Sequence, residues 1–308
     1  MKFFLTGGTG FVGSYLTKQL VAQGHQVTIL SRRPQRRPGL PAAVTLAAGD
    51  PTQPGDWQQL PPQHEVIINL AGASVFGRWT AAKKKEIYDS RILTTRNLVQ
   101  ALRQARERQT QVLFSTSAIG YYGDRGEEEL TETSPPGDDF LARVARDWEA
   151  EALAAQDLGL RVVITRFGLV IGDRGGILEQ LVPLFKAFLG GPLGSGRQWF
   201  SWIDQSDQLA AFLFVLSRPD LEGVINFVSP NPVRNADFVR ALAQVLNRPA
   251  VLPTPAWAVK LALGEFATVV LGGQKVLPTR LLAAGFNFAY PEITAALRHH
   301  LLESGDRS

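Results

Sequence analysis

Cysteine is absent from this 308-residue chain, which excludes disulfides, thiolate metal ligands and a cysteine nucleophile. Histidine is nearly absent too. His25, His64, His299 and His300 are too scattered for a HExxH-type zinc site, so no metal is expected. His299-His300 reads as a frayed helix end. Lysine numbers eight, with none between Lys85 and Lys186. Long apolar runs are missing as well. The segment Met1–Thr6 lacks a signal peptide's apolar stretch, because glycines begin at once. The most membrane-like stretch, Pro255 to Gly273, carries Lys260 and Glu265 in its middle. Each would cost about 2.5–3.5 kcal/mol at the centre of a span, so an amphipathic helix covering a core is the better reading. The expectation is a cytoplasmic protein with no membrane partner.

What is present is ordinary for a globular chain: 45% apolar and 19% charged residues, with length for one large domain or two modest ones. The net charge is +4 and the pI 9.5. Basic residues gather as Arg32-Arg33 with Arg36-Arg37, and as Lys83-Lys84-Lys85. No aromatics interleave with them as on a nucleic-acid surface, so no nucleic-acid partner is expected and the lysine run reads as a solvated helix face.

Strand patterns at Lys2–Thr6, Gln26–Ser31, Val44–Ala47, Val66–Leu70, Gln111–Thr116 and Arg161–Arg166 alternate with helical ones at Val12–Gln23, Thr80–Arg106 and Asp139–Asp157. Such alternation predicts an α/β fold, a doubly wound parallel sheet with helices on both faces. Beyond Gly175 helices dominate: Leu178–Leu189, Gln205–Ser217, Asn235–Leu246 and Trp257–Leu271. Short strands fall near Gln198–Trp202 and Gly223–Phe227. The division is a nucleotide-binding domain over 1–172 and a smaller C-terminal α/β substrate domain over 173–308, the two interleaved in space.

The most informative stretch is Thr6-Gly7-Gly8-Thr9-Gly10-Phe11-Val12-Gly13, a strand running into glycines and then a helix. Gly8-x-Gly10-x-x-Gly13 fits the Rossmann-type dinucleotide fingerprint. Its glycines allow a tight turn and close approach of backbone to a pyrophosphate at a helix N-terminus. The second strand ends Leu30-Ser31-Arg32-Arg33 with no acid for a ribose 2′-hydroxyl. Ser31, Arg32 and Arg33 suit a 2′-phosphate, so the expected cofactor is NADP(H). Asp50 after the third strand reads, taken singly, equally as an adenine ligand or a turn former, and its place in a series of strand ends favours the ligand. After the fourth strand, the small residues of Leu70-Ala71-Gly72 would let the nicotinamide half lie close.

Together with Asn69-Leu70-Ala71-Gly72 and Ser115-Thr116-Ser117-Ala118, the glycine stretch resembles the extended short-chain dehydrogenase/reductase superfamily. Gly120-Tyr121-Tyr122-Gly123, Trp148-Glu149, Gly194-Ser195-Gly196-Arg197-Gln198, Trp202-Ile203, Leu271-Gly272-Gly273-Gln274 and Ala284-Gly285-Phe286 resemble one atypical, epimerase-like group within it. That group is often called "cell division inhibitor" or sugar-nucleotide epimerase. The resemblance covers essentially the whole chain. It implies NADP(H), adds Ser115 to the cofactor set, and implies a small polar, sugar-nucleotide-like substrate.

The superfamily's catalytic group is Tyr-x-x-x-Lys on one helix, where the cation lowers the phenol pKa, plus a serine from the preceding strand. Ser117 fits the serine. The pair falls on Phe140 and Val144, and no tyrosine here has a lysine four residues on. Three readings follow: a redox or epimerising enzyme with Tyr121 or Tyr122 as substitute acid beside Ser117; an NADP(H)-binding sensor or regulator without turnover, linked to cell division; or a nucleic-acid or partner-binding scaffold, which only the pI supports. On the substrate side, the position of the usual diphosphate-gripping arginine falls on Phe200, three residues after Arg197. Trp199, Phe200 and Trp202 are expected to line an apolar or stacking pocket or else to pack in the core. Arg91 offers an anion contact to substrate, while Arg166 is expected to brace structure.

Overall fold

The computed structural model describes residues 1–35, 39–173, 175–250 and 252–303. Arg36 and Arg37 of the second arginine pair lie outside them. β1 (Lys2–Thr6) buries every residue after Lys2. Phe3 and Leu5 enter one core layer and Phe4 the other, the period of a strand covered on both faces. A glycine turn leads to α1 (Phe11–Ala22), followed by β2 (Gln26–Ser31), β3 (Thr45–Ala48) and β4 (Val66–Asn69). Next come α2 (Ala81–Gln104), β5 (Val112–Ala118), β6 (Glu129–Leu130), α3 (Phe140–Leu153) and β7 (Arg161–Phe167). Thr80 caps α2 by accepting from Lys83 N, and Asp139 caps α3 by accepting from Ala142 N.

The remainder is β8 (Leu169–Ile171), α4 (Gly176–Lys186), β9 (Trp199–Phe200), β10 (Trp202–Asp204), α5 (Gln205–Ser217) and β11 (Gly223–Phe227). It continues with β12 (Val233–Arg234), α6 (Asn235–Leu246), α7 (Ala256–Leu263), α8 (Ala267–Leu271), β13 (Lys275–Val276), α9 (Thr279–Ala283) and α10 (Ile293–Arg298). A π-helical turn over His299–Glu303 follows.

Seven strands form one parallel sheet in the order β11-β7-β5-β4-β1-β2-β3, the Rossmann-type arrangement expected. The chain winds outward from β1 through β2 and β3, then returns to β4 on β1's other side. The loops after β1 and β4 therefore part at the sheet's carboxyl edge, opening a crevice at the topological switch point. Leu16 and Leu20 of α1 and Phe212 and Val215 of α5 cover one face. Leu98 and Leu102 of α2 and Ala152 of α3 cover the other.

Gly223–Phe227, read from sequence with the C-terminal segment, pairs with β7 as the outer strand of the main sheet. The strand expected at Gln198–Trp202 is two strands, β9 pairing with β12 and β10 with β8. The helix expected over Trp257–Leu271 breaks at Gly264, whose φ of 59° a side chain would resist. A separate core holds the C-terminal elements, where Phe200 stacks on Phe238 at 4.4 Å beside buried Trp202, Phe185 and Leu297. Among the described residues no helix is long and apolar enough to cross a membrane, and no cluster of three potential metal ligands occurs.

Candidate functional site

At the crevice, Gly7 turns with φ +69°, and a Cβ there would lie 2.7 Å from the Leu70 carbonyl carbon. A side chain on Gly13 would overlap the Gly7 carbonyl oxygen, so α1 presses directly on the turn. Gly8 packs on Ile29, while Thr9, Gly10, Phe11 and Val12 remain at least partly exposed around the helix start. Gly10 caps α1 without a side-chain hydrogen bond, and the first turn carries no acid. Gly10 N donates to Gly7 O at 3.0 Å, but among the described residues no side chain competes with an anion for the helix start and the positive end of its dipole.

At the end of β2 the Ser31 hydroxyl donates to Arg33 O at 3.0 Å and accepts from Arg33 N at 3.2 Å. This tight turn sends Arg32 and Arg33 outward. Among the described residues neither guanidinium makes a hydrogen bond or ion pair. Asp50 uses Oδ1 to accept from Thr52 N and Thr52 Oγ1, the turn-former geometry. Its Oδ2 is left over.

Thr6 and Ser115, expected at the cofactor, point inward instead, at 0% and 1% exposure. Thr6 Oγ1 donates to Asn69 Oδ1 at 2.6 Å. Asn69 Nδ2 donates to Thr95 Oγ1 at 2.8 Å and Ser115 Oγ at 3.3 Å, and Trp148 Nε1 donates to Thr95 Oγ1. Their burial between strands satisfies one another's polar atoms, and Thr6 Oγ1 also accepts from Ala71 N. The network therefore sets the loop holding Leu70, Ala71 and Gly72. Arg91 lies beneath that loop, donating to Ala73 O at 3.1 Å and Ile87 O at 3.0 Å, with its guanidinium carbon 3.0 Å from where a Gly72 Cβ would stand. It has no carboxylate partner among the described residues, and burial lowers its pKa to about 10.

Where the catalytic dyad would sit, Phe140 heads α3 edge-on to Trp79 and Val144 is buried. Lys84 departs from the expected solvated face: its Nζ pairs with Glu265 at 2.5 Å and lies 5.0 Å over the Phe140 ring. Ser117 is 1% exposed and donates to Glu149 Oε1 at 2.6 Å. Glu149 in turn holds Arg166 through two hydrogen bonds, at 2.8 and 2.7 Å, with both side chains buried. Burial works against the Arg166 charge, but Glu149 more than restores it, so its pKa stands above the ordinary arginine value.

Tyr122 is corrected by its surroundings. It is wholly buried, donates to Asn226 Oδ1 at 2.7 Å and accepts from Arg166 Nη1 at 2.9 Å, and burial raises its pKa to about 12. Tyr121 is half-exposed and stacked 3.4 Å from the Arg166 guanidinium. Its hydroxyl has no hydrogen-bond partner among the described residues.

On the C-terminal side Trp202 is also corrected: it is 0% exposed, with Nε1 donating to Asn231 O. Trp199 is half-exposed beside a cavity of about 170 Å³, whose lining includes Asp124, Glu127, Arg197, Arg234 and Gly272. Arg234 stacks on Trp199 at 3.7 Å and pairs with Glu127 at 2.5 Å. Arg197 is exposed, and its guanidinium is unpaired among the described residues. Sequence reasoning missed Arg234, which no motif marked. It missed the part played by Glu149, although Trp148-Glu149 had stood out as a motif.

Residues 3–227 match the family model described as NAD dependent epimerase/dehydratase family, and residues 254–300 match a domain of unknown function, DUF1731. The chain is 41% identical over 299 residues to the chloroplastic SDR39U1 homolog, an epimerase family protein of Arabidopsis thaliana, covering 97% of this chain and 86% of that one. It is 38% identical to epimerase family protein YfhF of Bacillus subtilis, covering 96% and 97%. Among solved structures, human epimerase family protein SDR39U1 (isoform 2) with NADPH superposes with a TM-score of 0.85 at 34% identity, over 97% of this chain and 98% of that one.

Proposed function

The chain belongs to the NAD dependent epimerase/dehydratase family, and from that premise we propose that it binds NADP(H) in the β1–β4 crevice and performs oxidoreduction or epimerisation on a small polar substrate. The observation that carries this reading is the crevice itself: a backbone-only turn at a helix start, flanked by two unpaired arginines where an NAD site would hold an acid. The similar human protein, whose structure contains NADPH, supports it. When bound, the cofactor supplies a hydride donor or acceptor at its nicotinamide C4.

The chain's own residues do the rest. The amides of α1 and the Gly7–Gly10 turn receive the diphosphate, and Arg32 and Arg33 receive the 2′-phosphate. Asp50 Oδ2 is free to accept from the adenine amino group. Arg91 packs against Gly72 and has no carboxylate partner among the described residues, and we assign its anion contact to the cofactor rather than the substrate. Tyr121, whose hydroxyl is uncommitted among the described residues, carries the proton, and the Arg166 guanidinium stacked on its ring holds it in place. Ser117 and Tyr122 hold the Arg166–Glu149 pair in place. Arg197 and Trp199 receive the substrate's polar end. With Phe200 stacked in the core where a diphosphate-gripping arginine would stand, a compact polar group suits that end better than a sugar nucleotide.

The regulator reading keeps one observation in its favour: Phe140 and Val144 occupy the dyad positions. The two readings separate on wild-type turnover, which a regulator lacks, and Tyr121→Phe tests the proton carrier. As an enzyme, that variant binds NADPH normally and loses turnover; turnover at the wild-type rate overturns the assignment. For the cofactor, Arg32→Ala with Arg33→Ala should weaken NADPH by roughly 10- to 100-fold, the loss of charge-assisted hydrogen bonds worth about 1.5–3 kcal/mol, and leave NADH unchanged. Equal weakening of both, read by fluorescence titration, overturns the 2′-phosphate assignment.

A further inference from the structure

His300 is not a frayed end. Its ring is 4% exposed, with Nδ1 2.7 Å from Asp173 Oδ1 and Nε2 2.8 Å from Asp204 Oδ2. Asp204 is fully buried and caps α5, its Oδ1 accepting from Ser206 N. Both carboxylates belong to elements that rest on the cofactor helix. Beside Asp173, Gly175 and Gly176 press on the Phe11 ring, leaving no room for a side chain. Beside Asp204, Gln205 Nε2 donates to Phe11 O at 3.4 Å, and Ser206 Oγ shares a hydrogen bond with Tyr15 OH of α1 at 3.2 Å.

We propose that the His300 imidazolium is a positioning residue for the dinucleotide site: by bridging Asp173 and Asp204 it clasps the turn after β8 and the start of α5 against Phe11, and so fixes the anion-binding first turn of α1. Only the doubly protonated ring donates to both carboxylates at once; a neutral ring keeps one donor and turns a lone pair toward the other. The clasp therefore depends on pH. The groups facing His300 are Asp173 from the turn after β8 and Asp204 from β10. Asp207, one turn along α5, adds negative charge near Asp204, and His299 neighbours it on its own turn. Among the described residues neither Asp173 nor Asp204 has another ion-pair partner.

Burial lowers the His300 pKa, but the carboxylates more than offset it, and the net direction is upward from 6.5. The raised value means the clasp is complete below pH 6.5 and is lost as pH rises through the folded-state pKa.

The inference rests on the proposed NADP(H) site, and its test separates the two. The Kd of the full chain for NADPH is titrated between pH 7 and 9, where the 2′-phosphate is already dianionic, for wild type, His300→Gln and Asp173→Asn. Wild type should weaken about 3- to 10-fold with rising pH. His300→Gln should be weak and flat across the range. Asp173→Asn, at a partly exposed position that folding tolerates, should show a reduced slope and keeps the test alive if His300→Gln does not fold. Tight wild-type binding with no pH dependence, or the same slope in either variant, overturns the clasp alone. Absence of NADPH binding to wild type at every pH overturns both the clasp and the cofactor reading.

Discussion

An ion pair sits under the sheet's carboxyl edge with almost no access to water: Arg166 on β7, Glu149 on α3, and the hydroxyls of Ser117 and Tyr122 completing the shell. Removing the negative partner leaves a buried guanidinium uncompensated. Glu149→Gln should therefore cost about 3–5 kcal/mol, measured by urea denaturation, and should loosen Tyr121, whose ring lies on that guanidinium. At this scale the sequence was legible where backbone geometry alone demands a residue type. Gly7 and Gly13 are such positions. It was illegible where a partner arrives from elsewhere. Ser117 looked like a catalytic hydroxyl because its neighbours in the chain match a motif; its actual partner, Glu149, comes from a helix, 32 residues on.

At the scale of elements, periodicity placed most strands and helices within a few residues, because each buries a stripe whose spacing is its own. The failures came at short elements and breaks. Gln198–Trp202 divides between two small sheets because Phe200 and Trp202 pack into the C-terminal core while their strands pair different neighbours. The contact between β1's turn and α1 is the element junction most exposed to test. Gly13→Ala drives a methyl into the Gly7 carbonyl and should cost about 1–3 kcal/mol as overpacking. It should also abolish NADPH binding, whereas Gly24→Ala, which meets no neighbouring atom but strains a backbone at φ +80°, should lower stability and leave binding intact.

For the whole molecule, the chain's return matters most. Beyond β7 it sends α5 back onto one face and β11 back into the sheet, burying Phe212, Val215, Ile225 and Phe227 in the main core. A fragment ending at residue 172 would expose that face and leave β7 as an open, hydrophobic edge. It should be recovered insoluble, or unfold without a cooperative transition; a soluble fragment with a sharp melting transition would contradict this account. Lys84–Glu265 and the Trp79–Phe266 contact at 5.5 Å tie the turn between α7 and α8 to the start of α2.

Residue order was enough for the parallel fold, the glycine turn, the arginines at the second strand end and the vacancy at Phe140 and Val144, since each follows from local period, local φ or a residue type present or missing. Lysine scarcity belongs in that set: with none from 86 to 185, no helix there can supply the usual cation. Folding decided which polar groups meet. It placed Lys84 over Phe140, turned Ser117 and Tyr122 onto a buried ion pair, left Tyr121 with an uncommitted hydroxyl, and carried His300 between two aspartates. These are contacts between residues far apart in the chain, and neither spacing nor composition encodes which distant side chain will satisfy a buried charge.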